Sequence, residues 1–141
     1  MVTALESVYK AWLAALVASE DLIALVPEAK IYMGPRKSDA PVPCISITIS
    51  EATQSSTQGV KNAKLGYREA GEAVIKIEVD GTLKDILPIY EQIYLVVLQG
   101  NATLNAAVKQ ITKLRKDPEY YNDRGLLEGN LTFGFSYIWE I

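Results

Sequence analysis

Few residues in this chain carry reactive side chains, and their spacing limits what they could do. Cys44 is the single cysteine. A nucleophilic thiol needs a base or a cationic neighbour to lower its pKa. The local sequence PVPCISIT supplies neither, so Cys44 reads as a small buried hydrophobe at the head of an apolar run. Asp117, Glu119 and Asp123 place three carboxylates within seven residues. Calcium takes such oxygens, but the regular ligand spacing and closing glutamate of a calcium hand are missing. Asp117-Pro118 and Asp123-Arg124-Gly125 fit turn chemistry instead. Glu51, Glu78 and Asp80 form another carboxylate set, of the kind a small-ligand binding module or an enzyme uses. Gly34-Pro35-Arg36-Lys37-Ser38 has the composition of a phosphate loop without its spacing. The chain has no histidine, which removes the commonest general base and transition-metal ligand. With one cysteine, a Cys/His zinc site cannot form. The expectation is a protein without catalytic, cofactor-binding or metal-binding residues, and not an enzyme.

Interaction chemistry is more plentiful. Thr53 to Gly71 reads TQSSTQGVKNAKLGYREAG, a largely polar stretch of 19 residues between two strand-like runs. Loops longer than ~12–15 residues are uncommon in compact domains and are usually functional or disordered. This segment carries Lys61, Lys64 and Arg68 against Glu69 alone, so it is net basic within a chain of net charge −3. It has too little apolar surface to fold alone, yet it offers a partner many hydrogen-bonding groups. Gln54, Gln58, Lys61, Lys64, Tyr67 and Arg68 are the expected contact residues of this arm. Tyr120 and Tyr121, with Arg124 close behind, form a second candidate surface. Tyrosine gives large contact area at low entropic cost, although the pair could equally cover a sheet edge. Lys109, Lys113, Arg115 and Lys116 form a basic run that suits a solvated face or an acidic neighbouring subunit.

The elements that must hold these residues are legible from periodicity. Leu5, Val8, Trp12 and Leu16, with Tyr9 and Leu13, recur at helical spacing. Thr3 and Glu6 suit a capping box ahead of them. Ser19 opens a shorter helix that Pro27 stops. A brief strand over Lys30–Met33 leads into a turn-rich connection. Ile45, Ile47 and Ile49 then alternate with Ser46, Thr48 and Ser50, and Ile75, Ile77 and Val79 alternate with Lys76, Glu78 and Asp80. These read as two half-buried strands of a long hairpin with the arm protruding from it. A second long helix begins at Thr82 or Asp85. Pro88 favours Asp85 as the cap, since proline suits only a first turn, and Gly100 stops the helix. Its buried stripe is Ile86, Ile89, Tyr90, Ile93 and Val97. A helical turn over Thr103–Ala106 precedes a strand, although Leu104, Val108, Ile111 and Leu114 also fit helical spacing. The last strand is unmistakable: Leu131, Phe133, Phe135, Tyr137, Trp139 and Ile141 alternate with mostly polar or small residues, which puts it centrally in the sheet.

The expected fold is α+β: an antiparallel sheet of about four strands, two main helices packed on one face, and a long protruding β-hairpin. At 141 residues the chain suits one domain and can bury ~68–70% of its unfolded surface. The charge of −3 argues against bulk nucleic-acid binding. Its most apolar stretch, Ala11 to Ala18, is too short to span a bilayer. With no cationic leader before it and a lone cysteine, the expected compartment is the cytoplasm.

The order of elements carries a resemblance. A helix, the strand around Ile31-Tyr32, the Pro-flanked strand Ala40-Pro41-Val42-Pro43-Cys44-Ile45-Ser46-Ile47, a polar hairpin and a second helix follow one another. Asn101-Ala102-Thr103-Leu104-Asn105-Ala106-Ala107-Val108 comes next, then Gly129-Asn130-Leu131-Thr132-Phe133-Gly134-Phe135. This resembles the tail-terminator and tail-completion (head-tail joining) proteins of long-tailed bacteriophages over nearly the whole chain. The resemblance implies a virion protein, assembled in the host cytoplasm, that forms a ring, typically a hexamer, on the head-proximal end of the tail tube. Such a ring stops tube polymerisation and offers a docking surface to the head connector. The implied partners are further copies of the chain, the tail tube protein and connector or neck proteins. DNA passes through the lumen without sequence-specific reading, and no membrane or cofactor is involved. Another neck component, such as a head-completion or connector ring protein, remains open, as does a small-ligand binding module.

Overall fold

A computed structural model describes residues 4–36, 40–51 and 67–139. Its elements run α1 (Ala4–Val17), α2 (Glu20–Leu25), a 3-10 turn (Glu28–Lys30), β1 (Ile31–Met33), β2 (Cys44–Glu51), β3 (Tyr67–Val79), α3 (Leu83–Leu98), α4 (Ala102–Ala107), β4 (Lys109–Lys116), β5 (Tyr120–Tyr121) and β6 (Leu127–Trp139). The fold is α+β, as the periodicities indicate.

The sheet is larger than four strands. It has six, ordered β1-β2-β3-β6-β4, with β5 pairing onto β6. It is not purely antiparallel either, because β1 runs parallel to β2. Strands of two or three residues such as β5 and β1 are too short to show a period of two, which is why periodicity missed β5. β6 lies between β3 and β4, the central place its apolar alternation predicts. The β2–β3 hairpin forms with Cys44 opposite Glu78 and Glu51 opposite Gly71. Beyond that point β3 does not protrude as half of an arm. Its residues from Tyr67 onward continue the ladder with β6, Tyr67 opposite Trp139 and Arg68 opposite Ile138.

The register divides the sheet into two chemically different faces. Rows across β2, β3 and β6 read Ile45–Ile77–Gly129, Ile47–Ile75–Leu131 and Ile49–Ala73–Phe133 on one face. All of these side chains are buried beneath α1 and α3. Trp12 of α1 lies 5.9 Å from the ring of Phe133 and 5.7 Å from that of Phe135, and Tyr94 of α3 meets Phe133 edge-on. Two glycines make room on this face. A Cβ at Gly71 would come within 2.7 Å of the Phe135 ring, and one at Gly129 would collide with the Tyr90 hydroxyl. Helix-face burial follows the predicted stripe of Ile86, Ile89, Tyr90, Ile93 and Val97.

Local signals set most boundaries. Ser19 caps α2, its hydroxyl accepting from the Leu22 N–H at 3.2 Å. Asn101 caps α4 in the same way, its side-chain oxygen accepting from Leu104 at 3.1 Å. The cap of α3 is Thr82 rather than Asp85. Asp85 stands at the third helical position, and its carboxylate accepts from the Thr82 N–H at 2.8 Å. Pro88 therefore lies inside the helix. The carbonyl it leaves without a donor belongs to Lys84, in an exposed first turn where water can serve it. Gly100 ends the helix region at φ +90°, a conformation that favours glycine. The expected Thr3 cap lies outside the described residues.

Candidate functional site

The second face of the sheet carries polar rows: Cys44–Glu78–Glu128, Ser46–Lys76–Asn130, Thr48–Val74–Thr132 and Ser50–Glu72–Gly134. Among the described residues no helix covers it. Even so, Glu78 and Glu128 are almost wholly buried, because loops and β5 close over the Cys44 end of the sheet.

The closure is a hydrogen-bonded network. Arg36, in the connection after β1, grips Glu78 with two nitrogens: Nε donates to one carboxylate oxygen, and Nη2 donates to the other at 2.6 Å. The Asn122 amide donates to Glu78 at 2.7 Å and to Glu128 at 3.3 Å, bridging the two acids. The Tyr120 hydroxyl donates to Glu128, and Lys76 Nζ stands 3.9 Å from the same carboxylate. Burial alone would raise the Glu78 pKa, but the Arg36 guanidinium, helped by Asn122 and Lys76, holds it below the usual carboxylate value. The bond to Glu128 pushes the Tyr120 phenol up to about 12. Cys44 points its thiol at Glu78, 3.9 Å away. Burial, and then the nearby carboxylate, raise the thiol's pKa, opposite to what a nucleophile needs.

The sequence-derived candidates are dispersed. Gln54, Gln58, Lys61 and Lys64 lie outside the described residues. Tyr67 and Arg68 belong to β3 and are paired with β6. Tyr120 and Tyr121 form β5, 50% and 62% exposed. Tyr120 is tied to Glu128, and the Tyr121 hydroxyl donates to the Gly81 carbonyl at 3.3 Å. Arg124 donates to the Ala40 carbonyl at 3.0 Å, fastening the β1–β2 connection to the β5–β6 turn. Of the carboxylates Glu78 and Asp80, Glu78 enters the network. Glu51 ends β2, and Asp80 is exposed beyond β3. Asp117 and Glu119 pair with Arg115 and Lys116 rather than converging. Among the described residues no group of three acids or cysteines is placed to hold a metal ion. No helix of the described residues is long and apolar enough to cross a membrane. Sequence reasoning missed Glu128, Asn122 and Arg36. The available signal was Glu128 beside the run that alternates from Leu131.

Beside the network, Pro35, Arg36, Ser46, Thr48, Val74 and Lys76 line an open groove of about 410 Å³. Its two cations are already engaged, Arg36 by Glu78 and Lys76 by Glu128.

Fold and site together define a small α+β unit, covered by helices on one face and polar on the other, with its acids used to brace loops. No family model matches the chain, and no curated protein sequence matches it. Among solved structures, the fold is similar to that of a chain in the structure described as "Virion of native gene transfer agent (GTA) particle". The TM-score is 0.64 and the identity 13%, with 93% of each chain covered. At that identity the likeness is one of fold.

Proposed function

We propose that this chain is a structural virion protein of a phage-like particle. In this reading it forms a ring on the head-proximal end of the tail tube, where it ends tube polymerisation and presents a docking surface to the head connector. The observation that carries the reading is a fold shared, over 93% of both chains, with a chain of a gene transfer agent virion. The sequence resemblance to tail terminators supports it from a separate direction. The site chemistry fits as well, because the buried acids are saturated by arginine, asparagine and tyrosine and fasten loops to the sheet.

The polar segment between β2 and β3 is the proposed contact arm against neighbouring rings, with Lys61 and Lys64 giving the contact a salt-sensitive part. Because Tyr67 begins β3, a deletion that tests the arm must spare the strand. The four residues Tyr67–Ala70 extend beyond the last β2 pair at Gly71, about 13 Å of strand. Residues 53–66 should therefore be replaced by a Gly/Ser linker of about six residues, which reaches ~20 Å.

The test is to supply arm-deleted protein to a strain making the particle without its own copy, then image the products. Overlong tails without heads support the terminator role. Tails of normal length that fail to join heads point to another neck ring protein. Normal joined particles remove the arm from the mechanism.

A further inference from the structure

The groove on the polar face holds hydrogen-bonding capacity that the fold does not use. Ser46 is the one buried residue among the described residues that line it. It is 4% exposed, yet its hydroxyl meets no hydrogen-bond partner among them. Most buried hydroxyls are bonded, and one that is not calls for an explanation. Alternation along β2 turns Thr48 to the same face, where it lines the groove at an exposed position.

Lys76 stands directly opposite Ser46 in the β2–β3 register. Its ammonium, on a side chain 44% exposed, lies 3.9 Å from the Glu128 carboxylate. That separation carries charge attraction but exceeds hydrogen-bond reach. Glu128 does not depend on it, because the Tyr120 hydroxyl and the Asn122 amide both donate to that carboxylate. Lys76 is therefore able to turn its three N–H donors to a ligand without leaving a buried acid unsatisfied. Cross-strand neighbours stand ~5 Å apart at Cβ, so turning Lys76 also opens the way to the Ser46 hydroxyl.

These groups select the chemistry of the occupant. Lys76 only donates and both hydroxyls can donate, so the complement is an anionic group rich in acceptors. None of the described lining residues is an acid. Glu78 and Glu128 are near but buried and met by donors. Pro35 and Val74 add apolar wall, and the volume of about 410 Å³ is that of a small-molecule site. A planar carboxylate on a short aliphatic body matches both kinds of wall. Phosphate, with oxygens on every side, would turn one of them toward the apolar part.

We propose that this groove binds an aliphatic carboxylate. Lys76 pairs with its charge, Ser46 and Thr48 donate to its oxygens, and Pro35 and Val74 hold its apolar body. The carboxylate belongs to a free acid or to the end of a protein chain. The inference does not rest on the ring reading, and each can fail while the other stands.

Amide resonances of the isotope-labelled chain test it. The probes are pentanoate, a tripeptide ending in valine, the same tripeptide amidated at its C-terminus, and inorganic phosphate. At least one of the two carboxylates should shift Ser46, Thr48, Val74 and Lys76 saturably, with a Kd on the order of 1 mM. A tighter tripeptide identifies a chain end as the source, and a tighter pentanoate a free acid. The amidated tripeptide should leave these positions unmoved. Lys76→Met keeps the side-chain stem and should weaken binding about tenfold or more, whereas Lys76→Arg should retain it. Ser46→Ala should weaken binding about tenfold with urea stability unchanged or raised, since it removes a hydroxyl that is unpartnered in the free chain. It decides the matter should Lys76→Met fail to fold. Phosphate that binds as tightly as the carboxylates overturns the assignment, as does binding that both Lys76→Met and Ser46→Ala leave intact. So does the absence of a saturable shift from either carboxylate.

Discussion

Glu78 on β3 and Glu128 on β6 face each other across adjacent strands, both buried, with one Asn122 amide donating to both carboxylates. Like charges directly opposite are destabilising, so this row persists because cations and donors from neighbouring rows and loops reach it. Arg36 comes from the β1–β2 connection, Tyr120 from β5, and Lys76 from the next row of β3. The acids thereby act as anchor points for the β1–β2 connection and for the β5–β6 turn.

Removing Arg36 should be severe. Arg36→Ala leaves Glu78 buried beside another carboxylate, and breaking a buried pair from one side costs about 3–5 kcal/mol. The pH dependence follows from the lowered Glu78 pKa. A depressed carboxylate contributes stability above its unfolded pKa of ~4.3 and loses it as pH falls through the folded value. Urea unfolding at pH 7 and pH 3 should show a large Arg36→Ala deficit that shrinks in acid. An equal deficit at both values would contradict the ion-pair account.

Tyr120 should titrate late. Its phenol, raised to about 12 by its bond to Glu128, favours the folded state below the ordinary value of ~10 and loses that contribution as pH rises through the folded value. Absorbance titration of Tyr120→Phe should lack one phenol from the alkaline end of the curve. Because Tyr120 is half exposed, the substitution should cost only about 1 kcal/mol.

At Gly129 the sheet touches α3. An added Cβ would meet the Tyr90 hydroxyl and lie 2.7 Å from the ring carbon bearing it. Gly129→Ala should destabilise by about 1–3 kcal/mol through overpacking. Tyr90→Phe in the same chain should recover part of that loss, measured as a double-mutant cycle. Strict additivity would show that the two residues do not collide.

Pro88 offers the opposite outcome. It interrupts α3 after its first turn without an N–H for the Lys84 carbonyl. Pro88→Ala should raise stability by about 1–2 kcal/mol, the helical gain being offset in part by a freer unfolded chain. A thermal melt that shifts downward would mean the ring of Pro88 packs better than the helix would bond.

Wherever one side chain per repeat meets a continuous apolar layer, the pattern could be read in advance. The stripe Ile86, Ile89, Tyr90, Ile93, Val97 and the alternation Leu131, Phe133, Phe135, Tyr137 are buried as the 3.6- and two-residue periods require. Ser19 and Gly100 mark helix ends because capping and positive φ are decided within a few residues. The cap of α3 was misassigned because proline's local preference favoured Asp85, whereas the exposed first turn tolerates the lost bond and Thr82 begins the helix a turn earlier.

Sequence by itself thus determined the α+β class, the core face, the order of the main elements and the absence of histidine, all properties of local pattern or composition. Tertiary structure alone decided that β1 runs parallel to β2 and that Tyr67 and Arg68 belong to the sheet. It also decided that Glu78, on a phase that reads as solvent-facing, is buried beside Glu128. A carboxylate looks alike in sequence whether water or Arg36 satisfies it. Arg36 and Glu78 stand 42 residues apart, and only the folded chain brings them together.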